Sequence, residues 1–129
     1  MKIILASRSP RRKQILSQFD FDLVCVDHLF NEDSILYRGN PMEYCELISQ
    51  GKAESVADQF DNDLIIAADT IVVVDNSILG KPKSKKEAKL MLKSLSGRTH
   101  KVFTGVTFMH NSRQVKKTFS DETTVEFYT

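Results

Sequence analysis

Leu64-Ile65-Ile66-Ala67-Ala68 and Ile71-Val72-Val73-Val74 form a nearly continuous apolar run, broken at its middle by Asp69-Thr70. Apolar runs of this kind suit strands covered on both faces, and so an α/β sheet. The break is chemically demanding. An isolated charge is too costly to bury, so a carboxylate at this point must be paired, metal-bound or protonated. The plain alternative is an Asp in a turn between two strands, bonded to its own backbone. No Gly or Pro marks a turn there, which favours a working carboxylate.

A second constraint lies at the start of the chain. Ile3-Ile4-Leu5 reads as a strand, followed by Ala6-Ser7-Arg8-Ser9-Pro10-Arg11-Arg12. Ser9 is a natural N-cap and Pro10 suits the first turn of a helix. Two arginines in that turn oppose the helix dipole. They would, however, complete an anion site at the free N–H groups, and guanidinium forks match phosphate oxygens. A phosphate cradle and a solvated basic helix start both fit these residues.

Between these two features, Phe21 to Val26 reads as a strand, and Asp27 to Asn40 as a polar connection carrying the acidic pair Glu32-Asp33. The usual fate of such a pair is solvent. Pro41 opens a helix expected to run to about Phe60. Cys45, Ile48 and Val56 form its apolar stripe, flanked by Met42, Ala53 and Phe60, and Lys52 falls at the stripe's centre. That lysine either snorkels to the surface or points into a cleft at a buried anion. Gly51, beside it, weakens the helix by about 1 kcal/mol relative to Ala, which a close backbone approach would explain.

Downstream, Asp75-Asn76-Ser77 reads as a turn and Leu79-Gly80-Lys81-Pro82 as a tight loop presenting a lysine. Ser84-Lys85-Lys86-Glu87 is a capping box. The helix it opens is expected to bury Ala88, Met91, Leu92 and Leu95 and to stop at Gly97. Its lysines read as a solvated face. Thr99 to His110 reads as a strand with Val102, Thr104, Val106 and Phe108 on one side. Gln114 to Phe119 and Thr123 to Tyr128 read as two more strands.

Composition excludes several classes of function. With 129 residues, 41% hydrophobic and 27% charged, the chain is one globular domain, residues 1–129. Its net charge of +1 gives no global argument for nucleic acid or membrane. The basic N-terminus has no interleaved aromatic residues of the kind single strands stack on. Cys25 and Cys45 form no Cys-x-x-Cys pair, so neither a zinc site nor a disulfide scaffold is indicated, and both read as buried thiols. His100 and His110 lack metal-ligand spacing. No apolar run spans a bilayer or serves as a signal peptide, which makes the cytoplasm the default location.

Five blocks together carry a resemblance. They are Leu5-Ala6-Ser7-Arg8-Ser9-Pro10-Arg11-Arg12, Gly51-Lys52-Ala53, Ala68-Asp69-Thr70-Ile71-Val72-Val73, Leu79-Gly80-Lys81-Pro82, and the stretch from Leu95 to Val106. In order and spacing the chain resembles the Maf family of nucleotide pyrophosphatases. The resemblance implies an α/β fold with a mixed, elongated sheet flanked by helices, two lobes and a central cleft, related to the inosine triphosphate pyrophosphatases. It implies hydrolysis of a nucleoside triphosphate to monophosphate and pyrophosphate, with a divalent metal: magnesium, or alternatively manganese or cobalt. Ser7, Arg11, Arg12, Lys52 and Lys81 match the family's substrate contacts, and Asp69 its catalytic carboxylate and metal ligand. Glu32 or Asp33 matches its second acidic metal residue. Arg11 and Thr70 match the branch acting on dTTP, UTP and related pyrimidine nucleotides. A homodimer is compatible with the resemblance. Family members also continue beyond Thr129 into a glycine-rich segment with a substrate-contacting glutamine. The chain is therefore expected to be C-terminally truncated, and a catalytically inactive nucleotide-binding or regulatory protein is the alternative function.

Overall fold

The computed structural model describes residues 2–7, 22–75, 77–79, 84–95, 97 and 99–126. A mixed six-stranded sheet organises them. Its strands are β1 (Lys2–Ala6), β2 (Asp22–Val26), β3 (Leu64–Val74), β4 (Ser77–Leu79), β5 (Thr99–His110) and β6 (Val115–Glu126). They lie in the order β2-β1-β3-β5-β6, with β4 paired to the far end of β3. β1 runs parallel to both β2 and β3, while β4, β5 and β6 are antiparallel to their neighbours. Ile3, Ile4, Leu5 and Ala6 are all buried, as a parallel strand covered on both faces requires.

Among the described residues two α-helices accompany the sheet, α1 (Pro41–Ala57) and α2 (Lys85–Leu95). Asn40 caps α1: its Oδ1 accepts from the Glu43 N–H at 3.1 Å, and Pro41 takes the first helical position. The helix ends at Ala57, a turn short of Phe60. Its last carbonyl accepts from Asn111 Nδ2, 3.0 Å away in the β5–β6 turn. At α2, Ser84 Oγ accepts from the Glu87 N–H, and Gly97 takes a φ of 71° beyond the helix end. Both features agree with the capping box and the glycine stop.

α1 lies on one face of the sheet and divides its core in two. Ala53, Val56 and Ala57 pack with Ile4, Ala6, Ile65 and Ala67. Cys45 packs with Ile71, Val73 and Phe103. Each large side chain buried in this way contributes about 1.5–3 kcal/mol. Side chains alternate along β3, so Ile65, Ala67, Asp69, Ile71 and Val73 share the face beneath α1.

Residues 64–74 are one strand with no turn at Asp69-Thr70, in line with the favoured reading of that run. Several expectations are corrected. The two strands expected after Gln114 are a single β6, because pairing with β5 continues through Ser120, Asp121 and Glu122. β4 has no counterpart among the expected strands; it folds back on β3 through Asp75, whose φ is 51°. Leu92 is exposed, so it does not belong to a buried face of α2. Cys45 is a buried thiol, but Cys25 is only half-buried. The helix expected from Pro10 and the loop carrying Lys81 lie outside the described residues. Among those residues no helix is long and apolar enough to cross a membrane.

Candidate active site

The two halves of the core leave one gap, and the charged residues fill it. Asp69 sits between Ala67 and Ile71 along β3, and Lys52 lies above it on α1 between Ser49 and Ala53. The Lys52 side chain is 10% exposed and that of Asp69 13%. Lys52 Nζ lies 3.3 Å from Asp69 Oδ1, 3.3 Å from the Ala68 carbonyl oxygen and 3.0 Å from Glu32 Oε1. An ammonium has three N–H donors, and here three oxygens receive them. The lysine at the centre of the apolar stripe thus points inward at buried acid, which is what makes its burial tolerable.

Glu32 arrives from a different part of the chain. It opens a single 3-10 turn, Glu32–Ser34, in the segment between β2 and α1. Asn31 Oδ1 caps that turn by accepting from the Asp33 N–H at 3.1 Å. Of the acidic pair, Glu32 reaches Lys52 while its own side chain stays 46% exposed. Asp33 is exposed.

The carboxylates also act on their neighbours. Burial raises the Tyr44 phenol above its ordinary range, and the charges of Asp69, Glu32 and Asp33 raise it further. Burial, then the Asp69 charge, pushes the Cys45 thiol up to about 12. Cys45 Sγ also contacts the Phe103 carbonyl at 3.5 Å. That thiol is a packing group, protonated at neutral pH. Beside Tyr44 a cavity of about 280 Å³ opens between the segment after the 3-10 turn and the first turns of α1. Ile35, Arg38, Asn40 and Leu47 line it with Tyr44.

Of the residues singled out by sequence, the structure therefore gathers Lys52, Asp69 and Glu32. Ser7 is buried at the end of β1, where its N–H donates to the Val26 carbonyl at 3.1 Å. Thr70 faces away from α1, exposed, with its hydroxyl 3.1 Å from that of Thr104. Arg11, Arg12 and Lys81 lie outside the described residues. Tyr44 and Gly105 escaped the sequence reading. Glycine within a strand pattern signals a close backbone approach, and that signal would have found Gly105.

Two carboxylates on separate elements, converging at one place, form an all-oxygen donor set. Magnesium is commonly held by one or two carboxylates together with substrate phosphates, so Glu32 and Asp69 fit such an ion. Among the described residues no larger cluster of His, Cys, Asp and Glu is gathered.

The mixed sheet and its helices form an α/β fold of the kind seen in solved nucleoside triphosphate pyrophosphatases. A dITP/XTP pyrophosphatase from Mycobacterium abscessus superposes with a TM-score of 0.62 at 17% identity, covering 98% of this chain and 74% of that one. That likeness concerns the fold alone. The profile of the Maf-like protein family matches residues 2–129, and the chain belongs to that family. It is 44% identical over 128 residues to a dTTP/UTP pyrophosphatase of Carboxydothermus hydrogenoformans, covering 99% of this chain and 68% of the relative. It is 48% identical over 115 residues to a dTTP/UTP pyrophosphatase of Pyrococcus furiosus, covering 89% and 60%. The chain spans about two thirds or less of the length of these relatives.

Proposed function

We propose that the chain hydrolyses nucleoside triphosphates of the dTTP and UTP class to the monophosphate and pyrophosphate. The observation that carries this reading is the convergence of Glu32, Lys52 and Asp69 at the gap in the core. The family and the relatives' activity support it.

A triphosphate must have its charge neutralised and a water aligned with the leaving group. Lys52 does part of the first task, and Arg11, Arg12 and Lys81 are assigned the rest, with Ser7 as a further substrate contact. The water oxygen bonds to the α-phosphorus, the bond from that phosphorus to the bridging oxygen breaks, and pyrophosphate leaves with the electron pair. Asp69 takes the proton from the water. Its link to Lys52 keeps the carboxylate oriented for that role. Glu32 and Asp69 would hold a divalent cation, and Asp33 is assigned as the alternative acid of its pair. When bound, that ion supplies charge neutralisation at the phosphate oxygens and a more acidic water. Arg11 and Thr70 are assigned to nucleotide choice, and the cavity beside Tyr44 offers room for the nucleoside.

The test is pyrophosphate release from dTTP and UTP with magnesium present. Release that falls by about a hundredfold or more in Asp69→Asn supports the assignment. Release undiminished in that variant overturns it. The alternative reading is a nucleotide-binding protein without turnover. Calorimetric binding of dTTP with no pyrophosphate released would establish that reading instead. A homodimer in the cytoplasm is the setting we assign, read by sedimentation and by fractionation of cells.

A further inference from the structure

Glu32 is the least constrained member of the charged group. Its side chain is half exposed, and it belongs to a segment whose regular structure is one 3-10 turn. Contacts just upstream fasten that segment to α1. The Phe30 ring lies against Gly51, so closely that a Cβ on Gly51 would stand 2.4 Å from Cε1, 2.5 Å from Cζ and 2.6 Å from Cδ1. Ser55 Oγ accepts from the Leu29 N–H at 3.0 Å and donates to the Lys52 carbonyl at 2.8 Å. The buried His28 accepts from the Phe30 N–H through Nδ1 at 3.3 Å. Gly51 and Ser55 stand on either side of Lys52 in α1. The notch that receives Phe30 therefore adjoins the very residue that Glu32 must meet.

We propose that Phe30, seated in the notch at Gly51, is the positioning residue that holds the Glu32 carboxylate on Lys52. Only Asn31 separates Phe30 from Glu32, so a fixed ring leaves the acid little freedom. Glycine is a poor choice inside a helix, since its backbone loses the most freedom on ordering. Any side chain here displaces the ring, which is the physical reason for tolerating that loss. Neither Phe30 nor Gly51 touches substrate in this proposal; both act through Glu32. The structural half stands alone, while the kinetic half rests on the function proposed above.

Two sets of variants test it. In the first, thermal midpoints are compared for the natural chain, Phe30→Ala, Gly51→Ala and the double variant. Gly51→Ala should raise the midpoint when Phe30 is absent, and should raise it less, or lower it, when the ring is present. Equal shifts in both backgrounds would overturn the proposal. In the second, kcat/KM for pyrophosphate release from dTTP should fall at least about tenfold in Phe30→Ala and in Gly51→Ala. Neither substitution should lower it further in a Glu32→Gln background. A like loss in that background would mean a general structural role and would defeat the idea. Should the natural chain release no pyrophosphate, the functional reading fails, and a crystal structure of Phe30→Ala decides this one. A Glu32 carboxylate still on Lys52 refutes it, and one that has moved away supports it.

Discussion

Asp69 on β3 stands directly across the ladder from Gly105 on β5. A Cβ on Gly105 would lie 2.5 Å from the Cys45 carbonyl carbon, 2.6 Å from its oxygen and 2.8 Å from the Glu46 nitrogen. The missing side chain lets the backbone of α1 settle on the sheet, and two turns later the same helix carries Lys52 to Asp69. Backbone atoms yield less readily than a side-chain tip. Gly105→Ala should therefore lift the helix and cost about 1–3 kcal/mol in urea unfolding. A neutral result would show that the helix height is set elsewhere.

Burial ranks the members of the charged group. Lys52→Met strips the Asp69 carboxylate of a cation at a site only 13% exposed, and should destabilise by about 3 kcal/mol or more. Glu32→Gln changes a group that water still reaches, and should cost under about 1 kcal/mol. Denaturant midpoints of the two variants check the order. Equal losses would mean that Glu32 belongs to the core as fully as Asp69 does.

The Cys45 thiol sets a limit on alkaline stability. Its ordinary value is 9.0, and in the folded chain it is pushed up to about 12. Below about pH 9 both states keep the proton and its contribution is whole. Between there and about pH 12 only the unfolded chain ionises, so stability falls, by up to about 4 kcal/mol. Tyr44 is raised as well and adds loss of the same sign from about pH 10 upward. The fall of the urea midpoint with pH should be shallower in Cys45→Ala. In the native chain a thiol reagent should modify the half-buried Cys25 faster than Cys45.

A chain of hydroxyl groups ties α1 to the hairpin. Ser49 Oγ donates to the Glu46 carbonyl at 2.9 Å and meets Thr107 Oγ1 at 2.7 Å. Thr107 Oγ1 lies 3.0 Å from Thr118 Oγ1, which accepts from Gln50 Nε2 at 3.1 Å. Thr107→Val keeps the shape and removes the link, leaving Ser49 and Thr118 to lose a buried partner. A loss of about 1–2 kcal/mol is expected by chemical denaturation. A more stable variant would show the network to be dispensable.

Pattern and capping chemistry make the central elements legible in the sequence. The run at 64–74, the Asn40-Pro41 helix start and the Ser84 capping box each carry a local cause, and each appears. The interruption at Asp69 marks the site because a buried acid is conspicuous among valines and isoleucines. Tertiary pairing decides the rest. Ser120, Asp121 and Glu122 look like a break, yet β5 supplies ladder partners throughout. The buried face of β5 is Phe103, Gly105 and Thr107, two of which carry no apolar signal. Glu32 and not Asp33 reaches Lys52, a long-range contact that no spacing rule encodes.

The position of β1 has a consequence for how the chain is made. β5 and β6 are joined by a tight hairpin and can pair as soon as both leave the ribosome. β1 emerges first, but its register with β3 involves residues about 60 positions later. At ordinary synthesis rates that is a delay of roughly 3–12 s during which Ile3, Ile4 and Leu5 lack that neighbour. An early apolar strand with a late partner stays without that cover in the interval, and its docking is one of the long-range steps that slow acquisition of the native state.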